Sequence, residues 1–122
     1  MEPFLMLRVS AYLFGATALG GVLMGIIRFS SRSNPPSWLA MLHGFLAAAA
    51  LTLLTYAVIA MDVPQYATLS LILFLVGAAG GIVLNLGYHM RDIALPKWLV
   101  GVHATIASVA LVLLYIAAFT QS

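Results

Sequence analysis

The stretch Pro36-Ser37-Trp38-Leu39-Ala40-Met41-Leu42-His43 returns sixty residues later as Pro96-Lys97-Trp98-Leu99-Val100-Gly101-Val102-His103. Each copy opens a long apolar segment, and proline, tryptophan, leucine and histidine keep the same four places. Proline is best tolerated at the first turn of a helix, and tryptophan is favoured where a membrane meets water. The two copies therefore predict the starts of two membrane helices, each carrying a histidine five residues after its tryptophan.

The composition is that of a membrane protein. Of the 122 residues, 64% are hydrophobic and 7% are charged, whereas about a quarter of the residues in a soluble domain are charged. Four charge-free runs, at 9–27, 33–61, 63–90 and 98–122, each reach the length of about 20 residues that a membrane helix needs. Unpaired backbone is too costly in lipid, so we expect an all-α protein. Residues 1–122 form a single transmembrane unit, whose first segment we interpret as a retained helix.

The loops set the expected topology. We predict helices at about 4–29, 37–60, 66–89 and 97–119, joined by short loops as in an up-down four-helix bundle. Loops 30–36 and 91–96 and the residues next to them carry four basic side chains, Arg28, Arg32, Arg91 and Lys97, against Arg8 alone on the other side. The positive-inside rule then places both loops in the cytoplasm and both termini outside a bacterial-type cytoplasmic membrane. The net charge of +2 reflects this topology and does not indicate a nucleic-acid partner.

The chain also contains an internal repeat. Residues 13–57 laid over 73–117 without a gap give fifteen identities in 45 positions, including two glycine pairs and the shared proline, tryptophan and histidine. We predict two tandem two-helix repeats, at about 4–60 and 66–119, related by a pseudo-twofold axis along the membrane normal. The second and fourth helices would lie diagonally across the bundle, with His43 and His103 at one depth.

Small and basic residues surround the expected position of this histidine pair. Counting back from the loops places Gly25 near the level of His43 and Asn85 near that of His103, with Gly21 and Gly81 about one turn deeper. Glycine in a membrane bundle usually serves close helix packing, but it also leaves room for a flat cofactor. On the loop side, Arg28, His89 and Arg91 suit membrane anchoring or the binding of carboxylates. The candidate cofactor-binding residues are Gly21, Gly25, Arg28, Gly81, Asn85, His89 and Arg91.

The paired histidines are the candidate metal ligands. An ionisable residue inside a membrane is costly and often functional, and imidazole is a common ligand of haem iron, zinc and copper. Two imidazoles approaching from opposite sides can fill both axial positions of haem b. Without cysteine, such a haem would be held non-covalently, and iron–sulfur ligation is excluded. Zinc usually takes three or four protein ligands, and the carboxylates, Glu2, Asp62 and Asp92, lie near the ends of the predicted helices.

In its four predicted helices and paired histidines, the chain resembles the small four-helix membrane b-type cytochromes. The resemblance implies a haem-binding electron-transfer protein acting between quinols and partner proteins or oxygen species. Many of those cytochromes carry four ligand histidines for two haems. This chain has three, and the position that matches His89 in the first repeat is Phe29. The difference favours a single haem bound by His43 and His103.

Other interpretations remain open from the sequence. The chain could be a non-catalytic accessory subunit of a larger respiratory or photosynthetic membrane complex, in contact with a membrane-protein partner or as a homo-oligomer. A small transporter is a further alternative, although no acidic residue lies inside a predicted helix. Quinone or chlorophyll could also occupy a space lined by alanine and glycine beside a histidine.

Overall fold

The computed structural model describes residues 2–120 and consists of four long helices. They are α1 (Pro3–Ser30), α2 (Ser37–Ala60), α3 (Gln65–Gly87) and α4 (Lys97–Phe119), with a short 3-10 turn at His89–Arg91. Each of the four is long and apolar enough to cross a membrane. Even the shorter ones, of 23 residues, span about 35 Å at 1.5 Å per residue, which exceeds a hydrocarbon core of about 30 Å. The predicted all-helical membrane fold is confirmed.

The helix starts follow the sequence signals. Pro36 and Pro96 precede the first residues of α2 and α4, as the two copies of the repeated stretch predict. Pro64 does the same for α3. At the start of α1, the side chain of Glu2 accepts a hydrogen bond of 2.8 Å from the backbone N–H of Leu5. This bond occupies one of the N–H groups that a helix leaves free at its N-terminus.

The end of α3 differs from the prediction. The apolar pattern predicts a helix as far as His89, but α3 ends at Gly87 and His89 belongs to the 3-10 turn. Asp92 closes this turn in the left-handed region, with φ of 55°, a conformation that aspartate tolerates better than most residues. The N–H of Ile93 returns to the carbonyl of Tyr88 at 2.9 Å, and this bond reverses the chain toward α4.

The helices form a ring in which each packs against the next, and α1 packs against α4. This places α2 and α4 on one diagonal and α1 and α3 on the other. The rings of Phe14 and Phe74 meet on the second diagonal, stacked with centroids 3.7 Å apart and planes 1° apart. Around them lies the buried core, which the following residues form: Met6, Leu7, Ala11, Ala50, Leu54, Ala57, Ala67, Leu71, Ala110, Leu114, Ala117 and Ala118.

In each hairpin, one buried serine joins the two helices. The hydroxyl of Ser10 donates to the backbone carbonyl of Ala50 at 3.0 Å, and that of Ser70 donates to the carbonyl of Ala110 at 2.9 Å. Both serines are fully buried. A hydroxyl in a membrane interior needs such a partner because no water is present to replace it. Alanine along α2 and α4 lets the hydroxyls come this close.

Different hydrogen bonds join the helices and loops at the two ends of the bundle. The Nε of Arg8 donates to the carbonyl of Ala118 at 3.0 Å, so α1 begins where α4 ends. At the other end, the side chain of Asn34 donates to the carbonyl of Ile93 at 2.8 Å and accepts from the N–H of Leu95 at 2.9 Å. The Nε of Arg28 donates to the carbonyl of Leu95 at 2.9 Å. The loop that joins α1 to α2 and the loop that joins α3 to α4 are therefore bound to one another.

The outer surface of the bundle is apolar. Leu19 is 75% exposed and Ile59 78% exposed, and many other large hydrophobic side chains on all four helices are exposed as well. A soluble protein rarely leaves so much contiguous apolar surface uncovered. With four helices of membrane-spanning length, this surface identifies the lipid bilayer as the surroundings of an integral membrane protein.

Candidate functional site: the histidine pair

The two repeated histidines meet inside the bundle. His43 comes from α2 and His103 from α4, and their ring centroids are 6.3 Å apart with planes inclined at 69°. Both residues are partly buried. The diagonal placement of α2 and α4 makes this meeting possible, because side chains that point inward from diagonal helices converge on the middle of the bundle. The sequence predicted this pair, and the structure brings it together.

Each histidine is anchored to the other helix of its own hairpin. The Nδ1 of His43 lies 2.9 Å from the carbonyl oxygen of Thr17 in α1. The Nδ1 of His103 lies 2.8 Å from the carbonyl oxygen of Gly77 in α3. A carbonyl oxygen only accepts hydrogen bonds, so Nδ1 carries the proton in both rings. The Nε2 atom of each neutral ring then holds a free lone pair, and within residues 2–120 neither Nε2 has a hydrogen-bond partner.

Two glycines lie directly against the rings. A methyl group added at Gly21 would lie 2.9 Å from Cε1 of His43, and one added at Gly81 would lie 3.1 Å from Cε1 of His103. A methyl group added at Gly20 would lie 3.9 Å from Nδ1 of His43, and one added at Gly80 would lie 3.7 Å from Nδ1 of His103. The imidazoles therefore pack on bare helix backbone, which a side chain at Gly21 or Gly81 would cover.

The glycines also explain how the carbonyl anchors become accessible. In an α-helix the carbonyl of residue 17 pairs with the N–H of residue 21, and a side chain leans back toward the preceding turn. A side chain at position 21 would thus lie over the Thr17 carbonyl, and one at position 81 over the Gly77 carbonyl. Glycine at both places leaves each carbonyl open to an imidazole N–H.

The depth expected from the loops is wrong by about one turn. Counting back predicts Gly25 beside His43, but the ring lies against Gly20 and Gly21. The reason is that α1 continues to Ser30 and projects about one turn past the level at which α2 begins. The 3-10 turn at His89–Arg91 occupies the corresponding place after α3.

Two other candidate cofactor-binding residues lie away from the rings. A methyl group added at Gly25 would meet no other atom within 4 Å, so open space adjoins it. Asn85 is exposed on the outer surface of α3, whereas the preceding Leu84 is buried. The structure does not place either residue against the histidine pair.

The basic candidates form the loop end of the bundle. Arg28 is partly buried and donates to the carbonyls of Leu95 and Ser31, and Arg91 is exposed. His89 binds the carbonyl oxygen of Pro35 through Nε2 at 2.8 Å, so it joins the loop of one hairpin to the loop of the other. His89 is thus engaged in a loop contact and does not belong to the histidine pair.

Sequence reasoning did not identify the carbonyls of Thr17 and Gly77. A backbone carbonyl leaves no mark in a side-chain pattern, and the two residues that supply it differ. The signal that was present lies four residues later, in Gly21 and Gly81, which share one place in the repeat. A glycine leaves the carbonyl four residues earlier uncovered, so Gly21 and Gly81 indicate the carbonyls of residues 17 and 77.

The donor set fits a metal that needs only two protein ligands. Within residues 2–120 there is no group of three or more histidine, cysteine, aspartate or glutamate side chains placed to hold a metal ion. A zinc site of three or four protein ligands therefore has no candidate among the described residues. The histidine pair instead has the donor arrangement typical of metal-bound imidazole, in which the second ring nitrogen donates to a backbone carbonyl. Haem iron takes four ligands from the porphyrin and can accept up to two imidazoles from the protein.

Comparison of the chain with protein-family models, with curated proteins and with solved structures gave no match. The function is therefore argued from the histidine pair itself.

Proposed function

We propose that this protein binds one haem b between His43 and His103 and transfers electrons within the membrane. The observation that carries the proposal is the pair of inward-facing imidazoles, each with its proton fixed on Nδ1 by a backbone carbonyl. The Nε2 lone pair of each ring would then be free to bind the haem iron. No cysteine is available for covalent attachment, so the haem is held by its axial ligands and by contacts with the bundle.

The separation of the rings supports bis-imidazole ligation. An imidazole nitrogen binds a transition metal at about 2.0–2.1 Å, and a five-membered ring with bonds of about 1.33 Å has a radius of about 1.1 Å. Two such bonds and two such radii set the centroids of trans imidazoles about 6.2–6.4 Å apart. The centroids of His43 and His103 are 6.3 Å apart, within the range that two imidazoles on one iron would have.

The protein residues contribute orientation, charge and exclusion of water. Bis-imidazole haem supplies a reversible one-electron couple with no open coordination position, which suits electron transfer. The Thr17 and Gly77 carbonyls hold the ligand tautomer. Arg28 and Arg91 provide positive charge at the loop end, where the haem carboxylates would be accommodated. A quinol from the bilayer and a membrane-protein partner are the proposed redox partners.

The proposal includes an internal pseudo-twofold axis along the membrane normal. Contacts at equivalent places of the two hairpins support it: Ser10 to Ala50 and Ser70 to Ala110, and each histidine to a carbonyl 26 residues earlier. Phe14 and Phe74, also sixty positions apart, stack face to face. A single haem on this axis would receive one ligand from each hairpin, which agrees with the presence of only one inward-facing histidine in each.

The proposed topology puts loops 30–36 and 91–96 in the cytoplasm of a bacterial-type cell and both termini outside. The positive charge at the loop end supports it. Single cysteines at Ser33 and at Asp62, introduced into a chain without natural cysteine, test it with a membrane-impermeant thiol reagent. Labelling of intact cells at position 62 and not at 33 is expected, and the reverse pattern would overturn the topology.

The cofactor is tested by expressing the protein in cells supplied with haem and recording its spectrum in detergent. We expect a sharp Soret band and distinct α and β bands on reduction. His43→Ala and His103→Ala should each abolish the bands, while His89→Ala serves as the matched control and should keep them. A colourless wild-type protein, or equal loss in all three variants, would refute the bis-histidine site.

A further inference from the structure

We infer that Gly21 and Gly81 are positioning residues that set the rotation of the two axial imidazoles, holding their planes closer to perpendicular than to parallel. The inference rests on the proposed haem site and goes beyond it, because it assigns a ligand orientation and the residues that fix it. A ring bound only through Nε2 can turn about its metal bond. Besides the proposed bond to iron, each ring here has two further contacts that would prevent this rotation.

The second contact is the hydrogen bond from Nδ1. It directs the ring plane of His43 toward the Thr17 carbonyl at 2.9 Å and that of His103 toward the Gly77 carbonyl at 2.8 Å. Both carbonyls belong to helical backbone, which turns far less readily than a side chain. Because the carbonyls lie on α1 and α3 and the histidines on α2 and α4, each hairpin fixes one ring plane.

The third contact is with the glycines. Cε1 of His43 occupies a place 2.9 Å from where a Cβ of residue 21 would be, and Cε1 of His103 lies 3.1 Å from the equivalent point at residue 81. Any side chain at these positions would push the edge of the imidazole away. The hydrogen bond from Nδ1 to the carbonyl of Thr17 or Gly77 would then lengthen. The tilt of 69° between the planes is thus the orientation that the hydrogen bonds and the glycine contacts together would maintain.

The orientation has a spectroscopic consequence. Near-parallel imidazoles on ferric low-spin haem give a rhombic electron paramagnetic resonance spectrum with three resolved lines. Strongly inclined planes leave two iron orbitals nearly equal in energy, and the spectrum is dominated by a single feature at low field. We expect this low-field signal from the oxidised wild-type protein.

The variants that test the positioning role are Gly21→Ala and Gly81→Ala, with Gly25→Ala as the control on the same helix, since a methyl group there meets no atom within 4 Å. Gly21→Ala should weaken haem binding about 10–100-fold, the usual effect of disturbing a partner of a metal-bound histidine, and should shift the remaining signal toward the rhombic form. Gly81→Ala, with the longer contact, should have the smaller effect, and Gly25→Ala should match the wild type in both measurements.

The outcomes separate this inference from the proposed function. Wild-type protein that lacks the haem bands refutes the proposed function itself. Wild-type protein with haem and a three-line rhombic spectrum overturns the orientation alone. If Gly21→Ala and Gly81→Ala lose stability while their bound haem keeps the low-field signal, the glycines serve packing only and the positioning role is refuted. Should neither variant fold, the spectrum of the wild type still decides the orientation.

Discussion

The hairpin of α1 and α2 and the hairpin of α3 and α4 agree in their interior and differ at their loops. Each interior has a buried serine bound to a carbonyl and a histidine bound to another. At the loop end the agreement stops. Asn34 and His89 make contacts between the loops, whereas the positions sixty residues away hold Ala94 and Phe29.

This difference indicates what constrains each region. Inside the bundle, both hairpins bring the same types of side chain to one interior, so equal residues make equal contacts. At the loops, one hairpin must bind the other, and such a contact needs a donor on one side and an acceptor on the other. Asn34 supplies its side chain, and Ile93 and Leu95 supply backbone. Identical loops would not form this complementary contact.

The largest expected effect concerns the stacked phenylalanines. Phe14→Ala and Phe74→Ala should each lower the free energy of unfolding by about 3 kcal/mol, since each ring is nearly fully buried and its removal leaves a cavity. Denaturant titration in mixed micelles measures this. Phe45→Ala, at a position 68% exposed, should stay within about 0.5 kcal/mol of the wild type. A loss at only one of the two buried positions would break the agreement between the hairpins.

The next effect tests the difference at the loops. Asn34→Ala removes two hydrogen bonds to the second loop and should cost about 1–2 kcal/mol of unfolding free energy in the same titration. Ser33→Ala is the control, because the neighbouring Ser33 is exposed and enters hydrogen bonds only through its backbone. If both variants are equally stable, the loop contact does not hold the hairpins together.

A smaller effect is expected from the buried serines. Ser10→Ala and Ser70→Ala should each lose about 0.6–1 kcal/mol, the usual contribution of a hydrogen bond between membrane helices. Ser108→Ala provides the comparison, since its exposed hydroxyl binds only the carbonyl one turn earlier in its own helix. Equal losses of unfolding free energy at positions 10 and 70 would support the equivalence of the two hairpin interiors. A loss confined to one position would count against it.

The smallest effect is expected from His89→Asn, and it concerns the proposed haem. An asparagine side chain can still donate a hydrogen bond, and the carbonyl of Pro35 that His89 now binds lies outside the histidine pair. Haem content per protein, measured from the reduced spectrum, should equal that of the wild type. A marked loss of haem would mean that the third histidine takes part in binding.

Much of this architecture can be read from the sequence. Charge-free runs and loop prolines predict all four helices within a few residues, because lipid allows few alternatives to a helix. Equal spacing from Trp38 to His43 and from Trp98 to His103 predicts a pair. The sequence does not reveal how far α1 overhangs α2, since that depends on the path of the loop. For the same reason it could not reveal that Gly21 rather than Gly25 touches the ring.

The backbone anchors of the histidines have a consequence for mutational tolerance. Thr17 and Gly77 perform one task with different side chains, because the group that they supply is present in every amino acid. Sequence drift can therefore alter both positions without loss of the anchor, and an alanine scan would not reveal them. The selective pressure should instead appear at Gly21 and Gly81. In a saturation library sorted for the proposed haem, we expect several small residues at the buried position 17 and almost none but glycine at 21.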